Sequence, residues 1–162
     1  MQRSHQPAAL APCPAFFPQP ALAGRVPWPE EFARAPLNPG MAELELAASA
    51  PLPCVRLAFA LWYLPEDQAQ NLLRLSLEAA HTVLLAEFKL AERNLELPAT
   101  LAARGLMALT AGPARAGRTA HTDFMQKGGI EGLVHRSDAL VCGRRPIFAG
   151  AAALLHLQLP AK

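Results

Sequence analysis

The clearest side chains with chemical potential lie at the end of one apolar run. The run is Thr82–Phe88, and its end carries Glu87, followed by Lys89. A carboxyl and an ammonium group at the end of a strand can position a substrate, and Glu87 could also act as a base. The alternative is a solvated strand end with a surface pair that contributes little to stability. Arg93 lies in the following loop, where recognition groups are common, and a polar loop tip is the alternative there.

Metal-ligating and nucleophilic side chains are sparse. His121 and Asp123 form an HxD pair, with His135 further on, but two candidate ligands without a third at standard spacing predict no metal site. The three cysteines are far apart and form no CxxC pair, which excludes a zinc ribbon or thioredoxin motif and favours reduced thiols. Cys142, in an apolar run, is interpreted as a small buried hydrophobe.

Composition indicates a foldable chain with little charge imbalance. Its 162 residues are 52% hydrophobic and 17% charged, which suits one domain and argues against global disorder. The net charge is +2 and the densest basic spot is Arg144–Arg145, so a nucleic-acid partner is not implied. The chain shows neither an export signal nor an apolar run of the ~18–20 residues that a membrane span needs. We therefore expect a cytoplasmic protein.

The chain divides into two regions of different character. Residues 1–53 hold most of the 16 prolines, which remove amide donors and restrict the preceding residue, so this segment is expected to be loosely ordered. Within it, Pro29–Arg34 suits a first helical turn, and Ala42–Ala47 fits a short strand. Residues 54–162 show regular patterns and form the second region.

From residue 54 the pattern alternates between strand and helix. Val55–Leu61 suits a strand buried on both faces, and Pro65, Glu66 and Asp67 open a helix with one apolar face. With Thr82–Phe88 as the next strand, these make a βαβ unit with a parallel pair. Further helices are expected near residues 98–110, 122–128 and 130–136, and strands near 139–145 and 151–159 should close as an antiparallel hairpin. The predicted fold class is α/β.

Several of these segments resemble class I S-adenosylmethionine-dependent methyltransferases. Leu57–Pro65 is similar to the segment leaving the fourth strand of that fold. Leu84–Lys89 resembles the fifth strand of ubiquinone- and menaquinone-biosynthesis C-methyltransferases, where an apolar run ends in an acid–aromatic pair. Asp123–Arg136 resembles the helix before the sixth strand, and Arg144–Gly150 the turn into the seventh. The resemblance covers residues 54–159 and implies the C-terminal half of a Rossmann-like methyltransferase sheet.

This resemblance implies S-adenosylmethionine as cofactor and a small molecule as methyl acceptor. The carboxyl end of the fourth strand lines the methionine end of the cofactor in this family, beside the ligand crevice. The expected cofactor-binding residues are accordingly Phe59, Ala60, Leu61 and Trp62. The expected substrate-binding residues, at the next strand end, are Glu87, Lys89 and Arg93. A buried strand end packed on the next helix is the alternative for the first group, and no catalytic residue is assigned.

The glycine-rich cofactor loop of the family has no counterpart in the sequence. Gly112–Gly117 follows a helix and contains proline, which is the wrong context for such a loop. The 53 residues before Cys54 are fewer than the ~80 that the first half of the fold needs. Two functions remain: a methyltransferase, or truncated relative of one, and a non-catalytic remnant or interaction module. A half sheet leaves Val55–Leu61 as an unpaired apolar edge, expected to promote self-association or pairing with a complementing chain.

Overall fold

Four strands form one mixed sheet in the computed structural model, which describes residues 22–47, 49–92, 94–110 and 122–160. The strands run in the spatial order β1-β2-β4-β3. β1 and β2 are parallel, whereas β4 is antiparallel to both of its neighbours. Their bounds are Val55–Ala58 for β1, Val83–Phe88 for β2, Leu140–Ile147 for β3 and Ala152–Gln158 for β4. The predicted α/β class, with a βαβ unit and a closing antiparallel hairpin, is confirmed.

Helices connect these strands and cover the sheet. Their bounds are Met41–Ala47 for α1, Glu66–Ala79 for α2, Leu97–Thr110 for α3 and Gly129–Arg136 for α4. Residues 122–126 are also helical, and single 3-10 turns lie at Glu30–Phe32, Asn94–Glu96 and Phe148–Gly150. α2 begins after Pro65 with two acids in its first turn, as predicted, and buries one leucine-rich face against the sheet. Within the described ranges, no helix has the length and apolar character to cross a membrane.

The strand expected at Ala42–Ala47 is wrong, because these residues belong to α1. Acids and leucines alternate in this segment, and a strand would place Leu44 and Leu46 on the same face. In the structure Leu44 is buried while Leu46 is 77% exposed. The hydrogen bonds at the start of α1 favour a helix over a strand. The backbone N–H of Gly40 donates to the Glu43 carboxylate at 2.9 Å, and the N–H of Leu44 donates to the Gly40 carbonyl. An acid three residues after the cap satisfies an amide that the helix itself leaves unpaired.

The outer edge of β1, expected to be unpaired, is covered by residues 36–38. Leu37 forms a parallel bridge with Arg56, whose N–H donates to the Pro36 carbonyl at 2.8 Å. The Asn38 side chain then acts as a further strand residue. Its Oδ1 accepts from the Ala58 N–H at 2.7 Å, and its Nδ2 donates to the Ala58 carbonyl at 3.0 Å. The proline-rich region thereby satisfies the edge amides and carbonyls that would otherwise invite pairing with another chain.

Replacing Asn38 by alanine is expected to lower the free energy of unfolding by about 1–2 kcal/mol and to promote self-association. The variant loses two hydrogen bonds to Ala58, and alanine tolerates the left-handed backbone of this position, at φ 49°, less well than asparagine. Urea unfolding and size-exclusion chromatography measure the two effects. Asn38→Asp keeps the acceptor but turns a carboxylate oxygen toward the Ala58 carbonyl, so it is not expected to restore the stability of the parent chain. Equal unfolding midpoints for Asn38→Ala and the parent chain would refute this role of Asn38.

The hairpin strand β3 is the other outer strand, and its burial differs from expectation. Every residue of β3 before Ile147 is at least partly exposed, and Cys142 is exposed rather than buried as the sequence suggested. The pairing register shifts between Val141 and Gly143, which places Cys142 at a bulge. Bulges at sheet edges twist a strand away from regular pairing. The cysteine therefore lies on the solvent side of an irregular edge.

Candidate functional site

The parallel strands β1 and β2 end side by side and bring two groups of predicted site residues together. Ala58 pairs with Ala86, and the N–H of Phe59 donates to the Ala86 carbonyl at 2.8 Å. The chain leaves β1 through Phe59–Leu64 and leaves β2 at Lys89, and we call these two segments, with Glu87 and Phe88, the carboxyl edge. The backbone N–H of Leu61 donates to Oε2 of Glu87 at 3.0 Å, which joins the two groups directly. Arg93 lies outside the described residues.

The carboxyl group of Glu87 is fully buried at this edge. Oε1 accepts from the Phe88 N–H at 3.1 Å, and the N–H of Trp62 provides a further bond besides that of Leu61. Burial raises the pKa of Glu87 to about 8, and the three backbone donors offset this rise only in part. The carboxyl group therefore holds a proton near neutral pH. The interpretation of Glu87 as part of a solvated strand end is wrong.

Lys89 is also buried, and its ammonium group has a partner within the chain. Only 2% of its side chain is exposed, and Nζ lies 2.8 Å from Oε2 of Glu96 and 3.8 Å from the Glu92 carboxylate. Glu96 accepts a second bond from the backbone N–H of Glu92 at 2.9 Å. Arg144 donates to Glu92 and to Glu131, which extends the network to β3 and α4. Lys89 is therefore part of a charge network and does not contribute a solvated surface pair.

Strained backbone is concentrated beside these buried charges. Phe59 has φ 51°, and the hairpin turn contains Phe148 at φ 50° and Ala149 at φ 52°. The rings of Phe59 and Phe148 have centroids 5.8 Å apart, and Phe88 lies 4.9 Å from Phe59. Non-glycine residues with left-handed backbone are costly and cluster at functional sites. The pattern of Arg144–Gly150 indicated a turn, but it did not indicate that Phe148 contacts the carboxyl edge from the far end of the chain.

The carboxyl edge is closed by the chain's own residues. Gly150, at φ 88°, packs against Glu96 so tightly that an added Cβ would lie 2.6 Å from Cγ of that side chain. At the start of α4, a Cβ on Gly129 would lie 3.2 Å from the Phe88 carbonyl. On the β1 side of this edge, Phe59–Trp62 are only 0–4% exposed. The cavity bordering Leu64 holds about 50 Å³, far below the roughly 300 Å³ of a small-molecule pocket.

Only part of the HxD pair lies within the described residues. His121 lies outside the described residues, so the geometry of the HxD pair is not defined. Among the residues that are described, no three His, Cys, Asp or Glu side chains form a group that could hold a metal ion.

Comparison with solved structures gives a distant likeness in fold. No protein-family model and no curated protein matches the chain. The chain is similar to the structure of the mitomycin 7-O-methyltransferase MmcR, with 15% sequence identity and a TM-score of 0.41. The similar region covers 70% of this chain and 32% of that one. The chain thus spans about a third of the length of the structure that it matches.

Proposed function

We propose that this chain is an S-adenosylmethionine-dependent methyltransferase unit that resembles the C-terminal half of the methyltransferase fold. In this proposal a small molecule accepts the methyl group at the carboxyl edge. The observation that carries the proposal is the direct bond between the turn after β1 and the buried acid of β2, Leu61 N–H to Glu87 at 3.0 Å. It joins Leu61, expected to bind the cofactor, to Glu87, expected to bind the substrate, at one edge of the parallel pair. In open α/β sheets, ligands bind outside the carboxyl ends of the strands.

The residues at this edge suit such chemistry. Methyl transfer is a direct displacement in which alignment of the reacting groups supplies much of the rate. Bound S-adenosylmethionine would supply a cationic methyl donor, and aromatic faces attract such cations. Phe59, Phe88 and Trp62 form that kind of aromatic environment. Glu87, whose pKa is about 8, loses its proton as the pH approaches 8, and its carboxylate form is then suited to take a proton from the acceptor. Because these side chains are buried, ligand entry requires the Phe59–Leu64 turn to move.

A titration of the whole chain with S-adenosylmethionine tests this function. We expect saturable heat in calorimetry and a rise in melting temperature at millimolar cofactor, both reduced by competing S-adenosylhomocysteine. Trp62→Leu keeps the apolar volume but removes the aromatic face, and should weaken binding. Trp28→Leu is the matched control, since Trp28 packs near Arg56 and Ala23, away from the aromatic cluster of the carboxyl edge. Absence of heat and of stabilisation at millimolar cofactor would remove the stand-alone enzyme.

A second function, a non-catalytic module without cofactor binding, is favoured by a separate observation. Phe59–Trp62 are almost completely buried and the Lys89 ammonium is already paired, so these residues as observed offer almost no open surface to a ligand. This alternative predicts a stable fold that does not respond to S-adenosylmethionine. The titration therefore decides between the two functions, provided that circular dichroism shows the chain to be folded.

A further inference from the structure

A groove away from the carboxyl edge has the size of a small-molecule site. It is an open groove of about 470 Å³ between residues 27–32 and the sheet, a volume within the roughly 300–1,000 Å³ of ligand pockets. Trp28 and Phe32 line one wall of the groove. The other wall is formed by the sheet, through Leu84, Leu154 and His156. None of the residues lining it belongs to the carboxyl edge. A ligand in this groove would be distinct from a cofactor and a methyl acceptor at the carboxyl edge.

His156 contributes a polar atom to this groove that the protein leaves unsatisfied. Its Nε2 is buried and has no hydrogen-bond partner among the described residues. His156 lies on β4 between Leu84 of β2 and Gly143 of β3, its direct neighbours across the sheet. Burying a ring nitrogen without a partner is unfavourable, and each such atom in a folded protein calls for an explanation. A small shift of the imidazole toward the groove would let a ligand oxygen supply the missing bond.

Gly143 keeps the space beside His156 open. Side chains directly opposite each other on neighbouring strands share one face of the sheet, so a residue larger than glycine would project next to the imidazole. A Cβ built on Gly143 would lie 3.6 Å from Cβ of His156, an ordinary contact. Gly143 has no positive φ to protect. A larger residue at this position would therefore fill the groove without disturbing the backbone.

The opposite wall is held in place by interactions of its own. The indole N–H of Trp28 donates to the Ala23 carbonyl at 3.2 Å. The guanidinium group of Arg56 lies 5.3 Å from the centroid of the Trp28 ring and donates to the Ala35 carbonyl at 2.7 Å. These contacts tie residues 23–35 to β1. The wall is thus preformed, which lowers the ordering cost of binding.

The lining selects one kind of ligand. Its aromatic and aliphatic side chains favour a planar ring, and Arg145, which forms no ion pair within the described part of the chain, offers a guanidinium fork for a carboxylate. Glu30 and Glu31 also line the groove, and their charges disfavour a second anionic group on the ligand. We propose that the groove binds a small planar aromatic monocarboxylate, with its ring against Trp28 and its carboxylate shared by Arg145 and His156.

Calorimetry with three related probes tests the ligand class. We expect 2-naphthoate to bind the whole chain saturably, at least 10-fold more tightly than the neutral 2-naphthamide. The dianion 2,6-naphthalenedicarboxylate should bind more weakly than 2-naphthoate because of the two glutamates. Absence of saturable binding at millimolar 2-naphthoate would overturn the proposal, as would equal affinity for acid and amide.

Variants place the bound probe in the groove. Gly143→Val fills the space next to His156 and should abolish binding of 2-naphthoate, while Arg145→Gln and His156→Leu should each weaken it about 10-fold or more. Arg74→Gln, which removes an equal charge from the exposed Arg74–Glu78 pair on α2, is the control and should leave affinity unchanged. Far-UV circular dichroism verifies folding of each variant, and Gly143→Val carries the test even where His156→Leu is unstable. Unchanged affinity in folded Gly143→Val would refute the site.

Discussion

Replacing Glu96 by glutamine is expected to lower the free energy of unfolding by about 3 kcal/mol, because it leaves the buried Lys89 ammonium without a matched carboxylate. Glutamine has nearly the shape of glutamate, so packing against Gly150 is retained and the change isolates the charge. Glu92 offers little compensation, since its carboxylate is 3.8 Å from Nζ and 48% exposed. Urea-induced unfolding, followed by circular dichroism, measures the difference.

The double variant Lys89→Met, Glu96→Gln shows whether the loss comes from the stranded charge. Removing both members of a buried pair is often nearly neutral, whereas removing one is costly. We therefore expect the double variant to regain most of the stability that Glu96→Gln loses. Glu78→Gln, which breaks the exposed Arg74–Glu78 pair, is the matched control and should cost less than about 0.5 kcal/mol. Equal losses for Glu96→Gln and Glu78→Gln would contradict the burial of Lys89.

The regular part of the fold could be predicted because its signals are local. The short apolar runs of β1 and β2 and the 3.6-residue spacing of α2 each lie within about 15 residues, and short strands linked by one helix must be parallel. The covering of β1 could not be predicted in this way. It depends on a three-residue segment and on the side-chain amide of Asn38, which contacts Ala58 from 20 positions away. Nothing in the local sequence specifies that pairing.

The sequence predicted which candidate residues are neighbours, but not how deeply they are buried. The ends of β1 and β2 meet at one edge, as their parallel order requires, so Phe59–Trp62 and Glu87 are neighbours. The burial of Glu87 under the Phe59–Trp62 turn, and of Lys89 beside the start of α4, depends on contacts between elements that are distant in sequence. A charged pair at a strand end resembles a solvated surface until those elements are placed over it.

The stability of the chain is expected to fall as the pH rises from about 4.3 to 8, with Glu87 as a principal cause. Its pKa is about 8 in the folded chain, against about 4.3 for a glutamate in an unfolded one. Below the lower value both states are protonated, and the contribution of the buried neutral carboxyl group is fully present. Between the two values the unfolded chain has released a proton that the folded chain retains, so folding becomes less favourable by about 1.4 kcal/mol per pH unit. Above about 8 the contribution is lost.

Glu87→Gln separates this effect from all other titrating groups. Glutamine keeps one of the two acceptor oxygens, but in place of the second oxygen its amide nitrogen faces a backbone N–H. At pH 5 the variant should therefore be less stable than the parent chain by about 1–2 kcal/mol. The glutamine side chain does not ionise, so the stability of the variant should change less with pH. The stability curves of variant and parent should converge or cross before pH 8. Urea midpoints at half-unit intervals from pH 5 to 8 give both profiles. Parallel profiles would show that Glu87 has the same pKa in the folded and unfolded chains, and would also remove the argument for Glu87 as a proton acceptor near pH 8.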